Sequence, residues 1–352
     1  MEYLIEYGLF LAKAVTIVVA IILVIGAVAS TSNRDKGKEK KGRIRVTRLN
    51  EHFEDMKKSL REAVLQKPQL KQLDKEEKKQ AKAEAKQAKA DAQQKEADAE
   101  RKKRVYVVNF KGDIAAHAVT SLREEITAIL ALAEPSDEVI CRLESPGGMV
   151  HAYGLASSQL LRIKSQGIPL TICVDKVAAS GGYMMACLAD KLVAAPFSVI
   201  GSIGVLVQVP NFHRVLQKHD VDFEMISAGE YKRTLTTFGE ITQKGRDKVK
   251  EDVETIHGIF KQWVKEHRPS VDIDKIATGE TWLGTQAKER YMVDDLRTSD
   301  ECIVKACDDA DVFEVEYEIK KSIQDKLGKV LQDTVEKAYG LVFEKNQPTN
   351  FQ

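Results

Sequence analysis

A mainly apolar run, Ile168 to Val174, gives way within six residues to Ser180-Gly181-Gly182, and then to a small, mostly apolar stretch from Tyr183 to Ala189. The β-branched first part predicts a buried strand, and the small residues of the last part predict a helix packed close on its surroundings. Strand, tight turn and helix in immediate succession are the unit of an α/β fold. A serine at such a junction has its hydroxyl at the positive end of a helix dipole. Gly181 and Gly182 have no Cβ, so a substrate backbone can approach and N–H groups are free to face an oxyanion. On this stretch alone the plainer account, an N-cap serine followed by two packing glycines, is the better one.

The segments around it extend the same pattern. Val105 to Phe110 and Val139 to Leu143 read as strands; Ala118 to Ala133 and Leu155 to Lys164 have helical apolar spacing. Further strands are expected at Leu192 to Ala195, Ile203 to Val207 and Val221 to Ile226, with a long amphipathic helix from Gly245 to His267. Strands alternating with helices imply parallel strands joined by crossover helices. The expected main domain covers 105–315, and 316–352 forms a C-terminal amphipathic helix and tail, with Ile323, Leu327, Val330, Leu331 and Val335 on one face.

Before this domain the chain is of another kind. Tyr7 to Ala29 is apolar but for Lys13, long enough to span a bilayer, and lacks the basic start of a cleaved signal peptide; 1–30 is therefore read as a retained transmembrane anchor. Eight basic and two acidic residues follow between Arg34 and Arg48, which by the positive-inside rule favours the cytoplasmic side. Phe53, Met56, Leu60 and Val64 recur at helical spacing, and Asp74 to Lys103 has no large apolar residue, so 31–104 is a basic and charged helical linker. A formal net charge of +1 over 352 residues excludes a general nucleic-acid binder. The five cysteines form neither a metal spacing nor an even disulfide set, and no cofactor or metal is called for.

Three weak signals bear on chemistry. Ser180 is one; Ser145-Pro146-Gly147-Gly148 is the second, a strand-end turn whose amides could complete an oxyanion hole, though Pro-Gly turns are common. Gly229-Glu230-Tyr231-Lys232 is the third, and most lysines are merely solvated. His117, His151, His213, His219, His257 and His267 are available as bases, but none lies in a glycine-rich strand-end setting. A desolvated, neutral lysine can do the same work.

Taken in order, Pro-Gly-Gly, Ala-Ser-Gly-Gly-Tyr, Ile-Gly-Ser-Ile-Gly-Val and Gly-x-Tyr-Lys resemble the signal peptide peptidase A family of Ser–Lys membrane peptidases over roughly 105–298. The resemblance implies an α/β fold of the Clp protease and crotonase type, with stacked ββα units. It implies that Ser180 is the nucleophile, Lys232 the general base and Ser202 the residue that orients the lysine; a lysine in that role is expected to be buried, with a turn that carries Glu230 away into solvent. Gly147, Gly148 and Gly181 then match the oxyanion-hole turns. It further implies a homo-oligomer in a bacterial inner membrane, acting on peptides or protein segments in extended form. Family members commonly work on the outer face, against the local charge. Met292, where the family has leucine, is a departure that concerns packing. Two other functions remain: a crotonase-like acyl-CoA enzyme, which needs neither Ser180 nor Lys232, and a catalytically inactive membrane scaffold.

Overall fold

The structure, a computed structural model, describes residues 42–66 and 101–319, with isolated residues between 7 and 16 and between 68 and 79. The expected anchor, most of the charged linker and the C-terminal helix lie outside the described residues. Among the described residues no helix is long and apolar enough to cross a membrane. Almost all of them belong to one compact unit, Ile44–Tyr317.

That unit is a mixed α/β fold. Its elements in chain order are β1 (Arg43–Arg48), α1 (Leu49–Val64), β2 (Arg104–Lys111), α2 (Val119–Leu130), β3 (Glu138–Glu144), α3 (Val150–Ser165), β4 (Leu170–Val174) and β5 (Val177–Ala179). There follow α4 (Gly181–Ala186), β6 (Lys191–Ala194), β7 (Val199–Gly201), α5 (His213–Lys218), α6 (Gln243–His267), α7 (Ile273–Ile276), β8 (Thr281–Leu283), α8 (Gly284–Glu289), β9 (Asp295–Leu296), α9 (Ser299–Asp309) and β10 (Asp311–Glu318). Seven strands form one sheet in the order β1-β10-β2-β3-β4-β6-β9, and β5, β7 and β8 form a second. From β10 to β9 all pairings in the large sheet are parallel. Every residue of β4 is buried, as expected of a parallel strand covered on both faces.

Parallel strands were expected throughout, but in the small sheet only β5 and β7 are parallel; β7 and β8 run antiparallel. Neither Ile203 to Val207 nor Val221 to Ile226 is a strand. Leu206, Val207, Val221, Phe223, Met225 and Ile226 are all exposed, so these apolar runs have no sheet face to cover in a single chain. At the other edge, β1 and β10 went unforeseen because they are charged: Arg45 pairs with Glu316 and Arg48 with Asp311. Part of the basic run read as a membrane flank is thus an edge strand with acidic partners. α1 forms as expected, yet only Phe53 of its apolar stripe packs on the core; Met56, Leu60 and Val64 are exposed.

Two tyrosines anchor the centre. Tyr183 of α4 and Tyr153 of α3 are fully buried, and the Tyr183 hydroxyl donates to the Met292 carbonyl at 3.1 Å. The indole of Trp263 on α6 donates to the Met184 carbonyl at 3.0 Å, so α4 is fixed from both sides.

One buried carboxyl gives the fold a pH dependence. Glu125 of α2 is almost inaccessible; one oxygen accepts the Tyr317 N–H at 2.9 Å and the other has no partner. Burial, with the Glu316 charge adding to it and the Tyr317 bond opposing it, raises this carboxyl from 4.5 to about 7. The unfolded chain releases the proton near the lower value, so this group's contribution is complete below it and is lost as pH rises to 7. Glu125→Gln should therefore flatten a decline in stability between these pH values, on the order of 2 kcal/mol, measured as denaturation midpoints across pH. An unchanged slope would show that Glu125 is ionised in the folded state.

Candidate active site

β5 ends at Ala179 and α4 begins at Gly181, so Ser180 makes the whole turn by itself. Its backbone lies at φ +53° and ψ −119°, a region that side-chain-bearing residues rarely occupy. The turn is held at both ends: Ser180 N–H donates to the Gly201 carbonyl at 2.8 Å, and its carbonyl accepts Met184 N–H at 3.0 Å. Although Ser180 stands at the N-cap position, its side chain makes no capping hydrogen bond. The plainer account of this serine therefore fails. Its hydroxyl is left uncommitted at a half-buried position.

The glycines around it are required by contact. A Cβ on Gly181 would lie 2.4 Å from Tyr153 Cγ, and one on Gly182 would lie 2.5 Å from the Ser145 carbonyl oxygen. Gly147 has φ +91°, and its Cβ would meet Ser180 Cβ at 2.6 Å and Gly181 N at 2.8 Å. The Pro146-Gly147-Gly148 turn thus lies directly against the serine. Gly148 in turn sits on the Ile114 backbone, 2.1 Å from that carbonyl oxygen for a Cβ, in the loop after β2.

The three amides expected to face an oxyanion differ. Gly147 is buried and its N–H donates to Ser145 Oγ at 3.1 Å. Gly148 is exposed, and its N–H has no acceptor among the described residues. Gly181 opens α4, so its N–H has no acceptor within the helix. Two open donors therefore flank the Ser180 position.

Ser202 follows β7 as Ser180 follows β5, and Ala179 and Gly201 are register partners in that parallel pair. The two serines leave neighbouring strands side by side. Ser202 also has φ +53°, and its N–H donates to the Glu280 carbonyl at 2.6 Å.

Lys232 is placed differently from expectation. It lies in an exposed turn, with its N–H donating to the Gly229 carbonyl at 3.1 Å, and its side chain makes no ion pair or hydrogen bond among the described residues. The expected burial is absent because 203–240 has no strand to fold it inward. Glu230 points to Lys244, and the Tyr231 ring lies 5.8 Å from the amines of both Lys244 and Lys248, so the turn is tethered to the start of α6.

Sequence reasoning passed over three residues here. Ser145 and Tyr153 share a buried hydrogen bond of 2.6 Å beneath the glycine turn. His257 of α6, set aside as part of a charged helix, has Nε2 3.3 Å from the Ile203 carbonyl, one residue beyond Ser202. The His257 contact joins positions 54 residues apart, whereas Ser145 and Tyr153 meet across eight residues. Among the described residues no cluster of His, Cys, Asp and Glu is arranged to hold a metal ion.

Two models of one family match the chain: the N-terminal part of peptidase family S49 over residues 2–160, and peptidase family S49 over 162–313. A probable protease SohB of Haemophilus influenzae is 49% identical over 334 residues, which are 95% of this chain and 94% of that protein. A probable protease SohB of Buchnera aphidicola subsp. Acyrthosiphon pisum is 43% identical over 347 residues, 98% of this chain and 99% of that protein. Among solved structures, a membrane-bound stomatin-specific protease in complex with a substrate peptide aligns with a TM-score of 0.41 at 18% identity, covering 66% of this chain and 99% of that one.

Proposed function

The chain belongs to peptidase family S49, and on that premise we propose that it is a membrane-anchored serine endopeptidase using a Ser180–Lys232 dyad. The backbone of Ser180 carries this reading. A serine that neither caps its helix nor relaxes from φ +53° is held in strain by its surroundings, as nucleophiles at strand-to-helix turns are.

In this mechanism Ser180 Oγ attacks the scissile carbonyl carbon while the neutral Lys232 amine takes its proton. Negative charge moves to the carbonyl oxygen, where the Gly148 and Gly181 N–H groups meet it. The lysine then returns its proton to the leaving amine, and water releases the acyl group from Ser180 by the same steps in reverse order. Ser202, beside Ser180 in register, orients the amine. The substrate is an extended peptide, and the domain has the finer architecture of the Clp protease and crotonase type.

An exposed lysine cannot be kept neutral, so Lys232 must be desolvated when the enzyme works. The exposed apolar residues of its segment, Phe223 and Ile226 among them, support a homo-oligomer in which a neighbouring copy covers this face. The apolar stretch from Tyr7 to Ala29 is the proposed anchor in a bacterial inner membrane, with the domain on the cytoplasmic side.

The experiment uses membranes from cells producing the full chain. They should cleave unfolded casein, lose that activity to a fluorophosphonate, release it only with detergent and leave acyl-CoA esters untouched. In sealed spheroplasts, protease added outside should leave the domain intact. Acyl-CoA turnover without proteolysis would favour the crotonase-like enzyme; neither activity would favour the scaffold. Activity that is soluble without detergent, or a domain digested from outside, would overturn the anchor or its orientation.

A further inference from the structure

We propose that Ser145 and Tyr153 are positioning residues for peptide cleavage: their buried hydroxyls hold the Gly147 amide inward, so that the glycine turn offers its Gly148 amide to the oxyanion. The inference rests on the serine-peptidase reading and assigns work to residues that reading does not use.

The hydrogen bonds run in one direction. Gly147 N–H donates to Ser145 Oγ at 3.1 Å, Ser145 and Tyr153 hydroxyls lie 2.6 Å apart, and Tyr153 Oη donates to the Asp113 carbonyl at 2.8 Å. Since the tyrosine's single proton goes to Asp113, the serine must donate to the tyrosine and accept from Gly147. Ser145 and Tyr153 are both fully buried, so the Gly147–Ser145 and Ser145–Tyr153 bonds are made without competition from water, and donors in such a chain strengthen one another.

The same two side chains touch both halves of the proposed oxyanion hole. The Tyr153 ring packs against Gly181, where a Cβ would reach its Cγ at 2.4 Å. Ser145 is joined to the serine-bearing strand by two backbone bonds, its N–H to the Val177 carbonyl at 2.8 Å and Ala179 N–H to its own carbonyl at 3.0 Å. On the far side, Met149 N–H donates to the Ile114 carbonyl at 2.8 Å, fixing the turn against the loop that holds Asp113. Only the Ser145 hydroxyl decides which of two successive glycine amides is satisfied inside. Without it, the buried Gly147 N–H loses its acceptor and the turn gains a reason to rotate.

Ser145→Ala, Tyr153→Phe and the double variant of the full chain test this on a quenched peptide. A donor misplaced in the transition state lowers kcat and leaves KM nearly unchanged. Each single change should cut kcat by about 10- to 100-fold with KM within about threefold, below the full loss of an oxyanion donor. The double variant should match the singles, because one relay is broken only once. Folded variants with wild-type kcat would overturn the proposal, as would losses that multiply. If Ser145→Ala does not fold, Tyr153→Phe, which keeps the ring beneath Gly181, decides alone. A wild-type chain that neither cleaves nor labels with a fluorophosphonate would instead remove the premise, and the two failures are distinguishable.

Discussion

Replacing Ser180 by alanine is expected to lower peptide cleavage by about 10⁴- to 10⁶-fold, the scale on which serine peptidases lose their nucleophile. That corresponds to about 5 to 8 kcal/mol of transition-state stabilisation. The variant should fold normally, since the hydroxyl makes no cap and Ala retains the Cβ that already fits against Gly147. Ser180→Gly sharpens the test. Relief of the strain at φ +53° favours the folded state by about 1–3 kcal/mol, which exceeds the entropic cost of glycine, so this variant should be inactive yet more resistant to heat. A glycine variant that is inactive but less stable would mean that the turn is not strained. An alanine variant that still cleaves at the wild-type rate would remove Ser180 from the mechanism.

Lys232→Arg is expected to cost about 10²- to 10⁴-fold in kcat/KM, the usual contribution of a general base, because a guanidinium stays protonated. Lys232→Met should do the same by removing the amine. Neither change should alter the unfolding free energy of an isolated chain by more than about 0.5 kcal/mol, since the side chain is exposed and makes no described contact. Loss of activity without loss of stability is the signature of a base. Near-wild-type kinetics in both variants would point to another base, and His257, bonded to the Ile203 carbonyl, is the first to examine.

The sequence was most informative where burial and chemistry coincide. β4 could be read because a strand covered on both faces must be largely apolar, and Leu170–Val174 is, its one polar residue, Thr171, donating its hydroxyl to Glu138. Ser180 and its glycines could be singled out because a turn made by one residue needs small neighbours. Apolar content was taken as proof of a strand at Ile203 to Val207 and at Val221 to Ile226, and neither is one. Val221 to Ile226 has the composition of one, but its side chains are exposed in a single chain, so nothing pairs it. The reverse error hid β1 and β10, where the charged residues Arg45, Arg48, Asp311 and Glu316, paired with one another, mask the few apolar side chains that pack on the core, Val312 and Val315 among them. Lys232 was expected just past a strand end, but no strand precedes it, and its environment was not legible because burial there depends on what covers the 203–240 face. Ser145 and Tyr153 are eight residues apart across a strand-to-helix connection, and no spacing rule marks a serine and a tyrosine as partners.

The most direct measurement is the site of covalent attack. Full-length protein treated with a fluorophosphonate, digested and mapped by mass spectrometry should have one phosphonyl group on the peptide containing Ser180. The adduct should be absent from Ser180→Ala and formed far more slowly in Lys232→Met. An adduct confined to another serine, or proteolysis that continues while Ser180 is unmodified, would contradict the account.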